Sequence, residues 1–433
     1  MTIANNNDQY TQVNATNLLL ENALVLNPAQ EAPQTAHIMI KNGVIEEICT
    51  DKPSVDASFE TIDLQGAWVT PHFVDLGTQL REPGYEHKGS LLQETLAAFN
   101  AGFSDVAMLP DTMPVLDTPA VLGLIQERAK NCPVNIWAIG AMTTGLEGKQ
   151  LSEIFALKDA GVVAVTQSRS PIRDNRLALR CLEYIATTGL KVFFYSEDYE
   201  LAGDGCAHEG PIADRLGLPG IPACAETTAI ARDLLLVERT GIEAHFGHIS
   251  CAGSVELIKQ AQAKGLKVTA DVALAHLAFD ERCLLGFNSQ FRLEPPLRSI
   301  DDRKALLDAV NSGVLSISIG HQPQDIAAKT APFSEAAEGM SLYDTHISLA
   351  KALIAAGDLE PLAWVRALTT QPAAIIDRQV TGINVGDVAA LNVIGDHTWT
   401  PNKSNCHSSG GNIFGFRQEQ VGKLTHRISG TAE

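Results

Sequence analysis

Between Phe73 and His87 the chain reads FVDLGTQLREPGYEH, an apolar run that breaks into a turn at Arg81-Glu82-Pro83-Gly84. Residues two apart on a strand face the same way, so histidines at positions 77 and 79 would offer two nitrogens to one metal ion at the strand end. Those positions are Gly77 and Gln79. Glycine has no ligand atom, and an amide oxygen is a poor substitute for the thiolate, imidazole and carboxylate donors that zinc takes. The other chemistry-bearing residues are scattered: His248 in HFGHIS, His276, His321 in SIGHQPQ, and Asp111, Glu197 and Glu294. The three histidines would make a different metal site with Asp111 or Glu197 only by converging without a first-strand pair. Hydrogen-bonded residues packed at strand ends are the simpler reading. Cys206 with His208, and Cys406 with His407, each place a thiol near an imidazole. No ordered acid accompanies either, so both are read as loop residues rather than nucleophiles; the first stands in a flexible glycine-rich loop.

These residues must be positioned by the elements between Trp68 and Gly320. Eight short apolar or β-branched runs occur there: WVTPHFVDL, SDVAMLP, PVNIWAIG, GVVAVTQ, LKVFFYSE, IEAHFGHIS, LKVTADVA and VLSISIG. Helix-like stretches such as LLQETLAAFNAG and SVELIKQAQAKG separate them, several ending in a glycine suited to a helix C-cap. Eight strands alternating with helices over this length predict an α/β fold, a (β/α)8 barrel of the TIM type. An open doubly wound sheet is the rival, weakened because no G-x-G-x-x-G follows the first strand. Before the barrel, AHIMIKNGVIEEI carries Asn42-Gly43 between two apolar runs, which predicts a hairpin. Short β-like runs return in DVAALNVIG and GKLTHRISG. The expected organisation is a disordered leader over 1–15, a small β-sandwich domain formed by both termini (16–69 and 378–433), and the barrel over 70–377.

Composition narrows the function classes. Of 433 residues, 45% are hydrophobic and 19% charged, with 51 acidic against 32 basic side chains and a net charge of −19. Such a surface repels phosphate backbones and anionic lipids, so neither nucleic acid nor membrane is an expected partner. The polar N-terminus carries no signal-peptide pattern and eight cysteines form no Cys-x-x-Cys, which predicts a cytoplasmic protein with reduced thiols.

The runs DLGTQLREPGYEHKGS, MLPDTMPVLDTP, EPPLRSIDDRKALLDAV and QPAAII resemble, in order along nearly the whole barrel, dihydroorotases of the amidohydrolase superfamily. The resemblance implies reversible closure of carbamoyl aspartate to dihydroorotate on one or two zinc ions, which lower the pKa of bound water to about 7. Position by position, this chain departs from it. Gly77 and Gln79 replace the first-strand histidines, Gln167 stands near the bridging carboxylate or carboxylated lysine, and Tyr195 replaces the fifth-strand histidine. His248 remains; Gly320, followed by His321, replaces the aspartate that serves as base. Arg81 matches the clamp for the substrate carboxylate, whereas Asp111 and Glu294 place negative charge at asparagine-like positions, against an anionic substrate. Ala390 replaces a second aspartate in the terminal domain.

The resemblance therefore implies a chain with no metal or other cofactor and no dihydroorotase activity. Arg81, Asp111, His248, His276, Glu294 and His321 would remain as a vestigial substrate pocket. It is similar to the inactive dihydroorotase-like chains that assemble with the catalytic chain of aspartate transcarbamoylase. The expected role is a non-catalytic subunit stabilising that enzyme, with self-association as a dimer. The loop-like segment QPQDIAAKTAPFSEAAEGMSLYD after His321 is a candidate contact. Two alternatives are a metal-dependent cyclic amidohydrolase (a residual dihydroorotase or hydantoinase-like enzyme) and a sensor holding carbamoyl aspartate on Arg81 and His321.

Overall fold

A computed structural model describes residues 11–14 and 16–430. Its centre is a ring of eight strands in chain order: Phe73–Thr78, Phe103–Met108, Asn135–Ala141, Ala164–Thr166, Lys191–Phe194, Ala244–Phe246, Val268–Ala273 and Ser316–Ser318. Every neighbouring pair along this order is parallel. A side chain helps to close the ring: the Ile319 amide donates to the Asp75 carboxylate at 2.9 Å, and the Gln79 amide donates to the His321 carbonyl at 3.1 Å. Helices such as Leu91–Asn100, Asn175–Ala186 and Ala223–Thr240 cover the outside. Gly161 and Gly241 end their helices in the left-handed conformation that lacks a Cβ penalty. The predicted (β/α)8 barrel is the fold observed.

The flanking domain is a mixed sheet drawn from both ends of the chain. Its strands run in the order Thr11–Asn14, Gln420–Ser429, Ala390–Trp399, Trp68–Pro71, Asn17–Val25, Gln34–Lys41 and Val44–Cys49, with Glu60–Asp63 against Asn17–Val25. Leu18, Leu20, Ile38, Ile40, Val69, Leu391, Val393 and Ile428 form its separate core. Asn42 (φ 52°) and Gly43 (φ 77°) make the expected hairpin turn.

Three expectations require correction. Thr11–Asn14, assigned to a disordered leader, is a strand parallel to the C-terminal one; residues 1–10 and 15 lie outside the described residues. The run WVTPHFVDL is two strands, Trp68–Pro71 pairing with Ala390–Trp399 in the flanking sheet and Phe73–Thr78 entering the barrel. The segment after His321 is held in place: it contains the helix Ile326–Thr330, and the buried Lys329 ammonium donates to the carbonyls of Ala337 (2.8 Å), Gly339 (2.9 Å) and Arg292 (3.3 Å).

Candidate functional site

Backbone geometry at the C-terminal ends of the strands is unusual in the way functional mouths often are. Arg81 (φ 68°), Ser168 (φ 51°) and His248 (φ 53°) are non-glycine residues in the left-handed region, one after each of the first, fourth and sixth strands. Such residues cost of order 1–3 kcal/mol each and persist only where the surroundings enforce them.

The side chains delivered there do not make a metal centre. A Cβ at Gly77 would lie 2.9 Å from the Tyr195 hydroxyl and 3.1 Å from His248 Nε2. Both of those atoms are buried without a hydrogen-bond partner. The phenol and the imidazole, ring centroids 5.2 Å apart and edge to face, therefore fill the place where a first-strand ligand would project. Gly320 (φ 64°) would bring a Cβ to 2.9 Å from that of Ala273, so an aspartate does not fit the backbone at that position either. Gln167 spends its amide on the loop after the third strand, accepting from Thr143 Oγ1 (2.9 Å) and donating to the Leu146 carbonyl (2.9 Å).

His248 is held by its neighbours. Its amide donates to Asp271 at 2.8 Å, and Arg169 Nη2 donates to its Nδ1 at 3.0 Å, which leaves the ring proton on Nε2. Burial, helped by the Arg169 charge, lowers its pKa to about 3. Asp271 also accepts from Ser318 Oγ (2.8 Å) and His245 Nε2 (2.9 Å). Burial works against its charge, but these donors hold it below the usual carboxylate range. Among the described residues no group of three or more His, Cys, Asp or Glu side chains is placed to hold a metal ion. The residues present do not fit the zinc that the resemblance implies for active relatives.

Of the six residues expected to line a vestigial pocket, only His248 borders a small cavity beside the fifth and sixth strand ends, which it shares with Arg169, Tyr195, Glu197 and Pro295. The volume of that cavity is about 10 Å³, room for one water at most. Arg81 is turned aside, its Nε donating to the Pro323 carbonyl at 2.9 Å; burial lowers its pKa to about 10. His276 donates from Nε2 to the Pro295 carbonyl at 2.9 Å, and burial lowers its pKa to about 4. His321 has both nitrogens engaged, Nε2 with Glu94 at 2.9 Å and Nδ1 with the Leu342 amide at 3.2 Å, and stacks on Tyr343. It is not available to a ligand.

Asp111 accepts from Ser168 Oγ at 2.7 Å; burial raises its pKa, while the hydrogen bond and the charges of Arg169 and Arg81 oppose the rise. Glu294 lies 3.7 Å from Arg169 Nε. Burial raises its pKa to about 7, with Glu338 and Glu197 adding and Arg169 opposing. Burial raises the pKa of both the Cys206 and the Cys406 thiol, away from the thiolate a nucleophile needs. Cys206 is buried beside the short strand Ala207–His208, not on a flexible loop, and burial pushes the Cys406 thiol up to about 12. Larger hollows lie elsewhere, one of about 500 Å³ among Lys191, Glu243, Lys267 and Gln371 and one of about 610 Å³ among His87, Asp325, Ile326 and Phe416.

Sequence reasoning missed Arg169 and Glu94. Arg169 stands two residues beyond a lost ligand position, but a single arginine after a strand carries no signal of what it will meet. Glu94 lies inside an ordinary amphipathic helix, yet it is fully buried and accepts from His321 Nε2 and from the amide (3.1 Å) and hydroxyl (2.6 Å) of Ser409. It also missed the structural use of Arg298 in PPLR, which donates to Ser250 Oγ (3.0 Å) and the Ile221 carbonyl (2.8 Å) with Glu226 nearby.

An eight-stranded barrel carrying a mixed sheet from both termini is the architecture of the amidohydrolase superfamily. Comparison with known proteins narrows this. Residues 66–254 match the family model described as dihydro-orotase-like. A dihydroorotase-like protein of Pseudomonas aeruginosa is 42% identical over 86% of this chain and 88% of its own length. A dihydroorotase of Anaeromyxobacter dehalogenans is 35% identical over 95% of this chain and 96% of its own. The chain belongs to the dihydroorotase-like family. Among solved structures, an L-hydantoinase from Arthrobacter aurescens shares the fold, with a TM-score of 0.80 at 19% identity, over 96% of this chain and 100% of that one. No helix among the described residues is long and apolar enough to cross a membrane.

Proposed function

We propose that this chain is a catalytically inactive dihydroorotase-like subunit that assembles with aspartate transcarbamoylase and stabilises it in pyrimidine biosynthesis. One observation carries the first half of this reading: Tyr195 and His248 occupy the space in front of Gly77, 2.9 and 3.1 Å from where a Cβ there would stand, which is where a first-strand ligand would have to project. Zinc catalysis requires three or four good ligands and an open position, and neither is provided. The partner half rests on the resemblance to inactive chains of that assembly. A subunit that binds only the assembled enzyme stabilises it by mass action, about 2.7 kcal/mol at a hundredfold excess over Kd.

The test is co-expression with the aspartate transcarbamoylase of the same organism, sized by light scattering, with transcarbamoylase activity assayed with and without this chain. The expected result is a large mixed complex, active only when both are present. Two separate species, with the transcarbamoylase active alone, overturn the partner role. Stoichiometric zinc in metal-replete protein that is lost in His248→Ala overturns the inactive reading and restores the cyclic amidohydrolase.

A further inference from the structure

Tyr195 fills space at the mouth, and Arg169 brings it a positive charge. The turn at Ser168, with its hydroxyl bonded to Asp111, delivers the next residue toward the centre of the strand ends. From there Arg169 reaches residues at two other strand ends and one in the long connection that follows the seventh strand. Nη2 lies 3.0 Å from His248 Nδ1 after the sixth strand. Nε lies 3.7 Å from Glu294 after the seventh, and the guanidinium carbon stands 5.5 Å from the Tyr195 ring centroid at the end of the fifth. Nearby cations are otherwise engaged: Arg292 Nη2 is 2.7 Å from Glu338, Arg298 pairs with Glu226, and Arg81 is turned to Pro323. Arg169 is thus the cation that faces Glu294, with Glu197 and Asp111 also within its field.

We infer that Arg169 is a built-in cation that takes over the cross-linking role of a metal at this mouth, tying together the ends of the fourth, fifth and sixth strands and the connection that follows the seventh. A planar guanidinium suits the task because its fixed fork can donate to an imidazole on one side and a carboxylate on another while its face lies against an aromatic ring. The exchange is also self-consistent: the same hydrogen bond that fixes His248 occupies the Nδ1 lone pair. The inference rests on the reading that this site takes no metal; it does not depend on the partner.

The test is a double-mutant cycle in the full-length protein, read as Tm, with Arg169→Met, Glu294→Gln and the double variant. Arg169→Met keeps much of the packing and removes the charge. With the cycle run at pH 9, where Glu294 is ionised in the wild type, a drop of about 3 to 6 °C is expected, since the change removes the cation facing that carboxylate and unpairs His248. Glu294→Gln should leave the wild-type Tm within about 2 °C but recover at least half of the loss in the Arg169→Met background. An unchanged effect of Glu294→Gln in both backgrounds means that Arg169 only fills space, and overturns the inference. If Arg169→Met alone does not fold, recovery of folded protein in the double variant supports the charge role; failure of both moves the cycle to Arg169→Lys, judged by the same coupling. Elemental analysis of the zinc-incubated wild type separates the two readings. Stoichiometric zinc sinks this inference and the inactive reading together, whereas no zinc and no coupling sinks this inference alone.

Discussion

The Tyr195 hydroxyl lies 2.9 Å from where a Cβ on Gly77 would stand, so these two residues, one on the first strand and one at the end of the fifth, share a single volume. The glycine at 77 and the tyrosine at 195 form one packed arrangement. Gly77→Ala is expected to cost about 1–3 kcal/mol through overpacking. Tyr195→Phe removes a buried hydroxyl that has no partner and is expected to be neutral or stabilising by up to about 1 kcal/mol. In the Tyr195→Phe background Gly77→Ala should cost less, a coupling that denaturant midpoints of the four proteins would reveal.

Putting the family ligands back should fail for a backbone reason. Gly320→Asp forces a side chain onto a φ of 64° and against Ala273. It is expected to cost about 1–3 kcal/mol. The combination of Gly77→His, Gln79→His and Gly320→Asp should yield destabilised protein without stoichiometric zinc, as elemental analysis would report.

Glu94 is a hub whose removal should be felt at a distance. Glu94→Ala leaves His321 and Ser409 without their shared acceptor and is expected to cost about 2–4 kcal/mol. Hydrogen exchange should rise across residues 405–412 in this variant, while the flanking sheet's exchange stays as it was.

Acid should weaken the fold through its buried histidines. Burial lowers the pKa of His248 to about 3 and those of His276 and His346 to about 4, from an ordinary 6.5. The unfolded chain binds a proton on each below 6.5 while the folded chain does not, so their contribution is intact above 6.5 and is lost as pH falls toward 4. Each adds a slope of up to about 1.4 kcal/mol per pH unit. Glu294, raised to about 7 chiefly by burial, works in the opposite direction over the same range. His346 lies outside the mouth and donates to the Ala101 carbonyl at 2.8 Å. Stability curves of His346→Asn should therefore show a flatter acid limb than wild type; parallel limbs would refute this account.

A contact through the segment after His321 is better tested at its surface than by deletion, because deletion would also remove the buried Lys329. Ile326 is 61% exposed beside the cavity of about 610 Å³. Ile326→Asp is expected to leave Tm nearly unchanged and, if this face meets the transcarbamoylase, to weaken co-purification at least tenfold.

Much of the barrel was legible because local patterns specify it. Seven of the eight apolar runs each hold one barrel strand, and Asn42-Gly43 became the turn its dihedral freedom permits. The split of WVTPHFVDL was not legible: both halves are apolar, and only the pairing of Trp68–Pro71 with Asn17–Val25 on one side and Ala390–Trp399, more than 300 residues along the chain, on the other assigns the first half elsewhere. The pattern also misread the segment after His321, where proline and glycine suggest a loop but Lys329 anchors it through backbone carbonyls.

At the site, the sequence by itself determined that no histidine, cysteine or carboxylate stands at Gly77, Gln79, Gln167, Tyr195 or Gly320. Only the tertiary structure decided what fills their place: Tyr195 in front of Gly77, Arg169 on His248, and His321 turned away to Glu94, 227 residues distant. The physical reason is that strand period fixes the direction of a side chain, whereas its partner is fixed by how the ring of strands closes, and closure brings together residues that no local pattern connects.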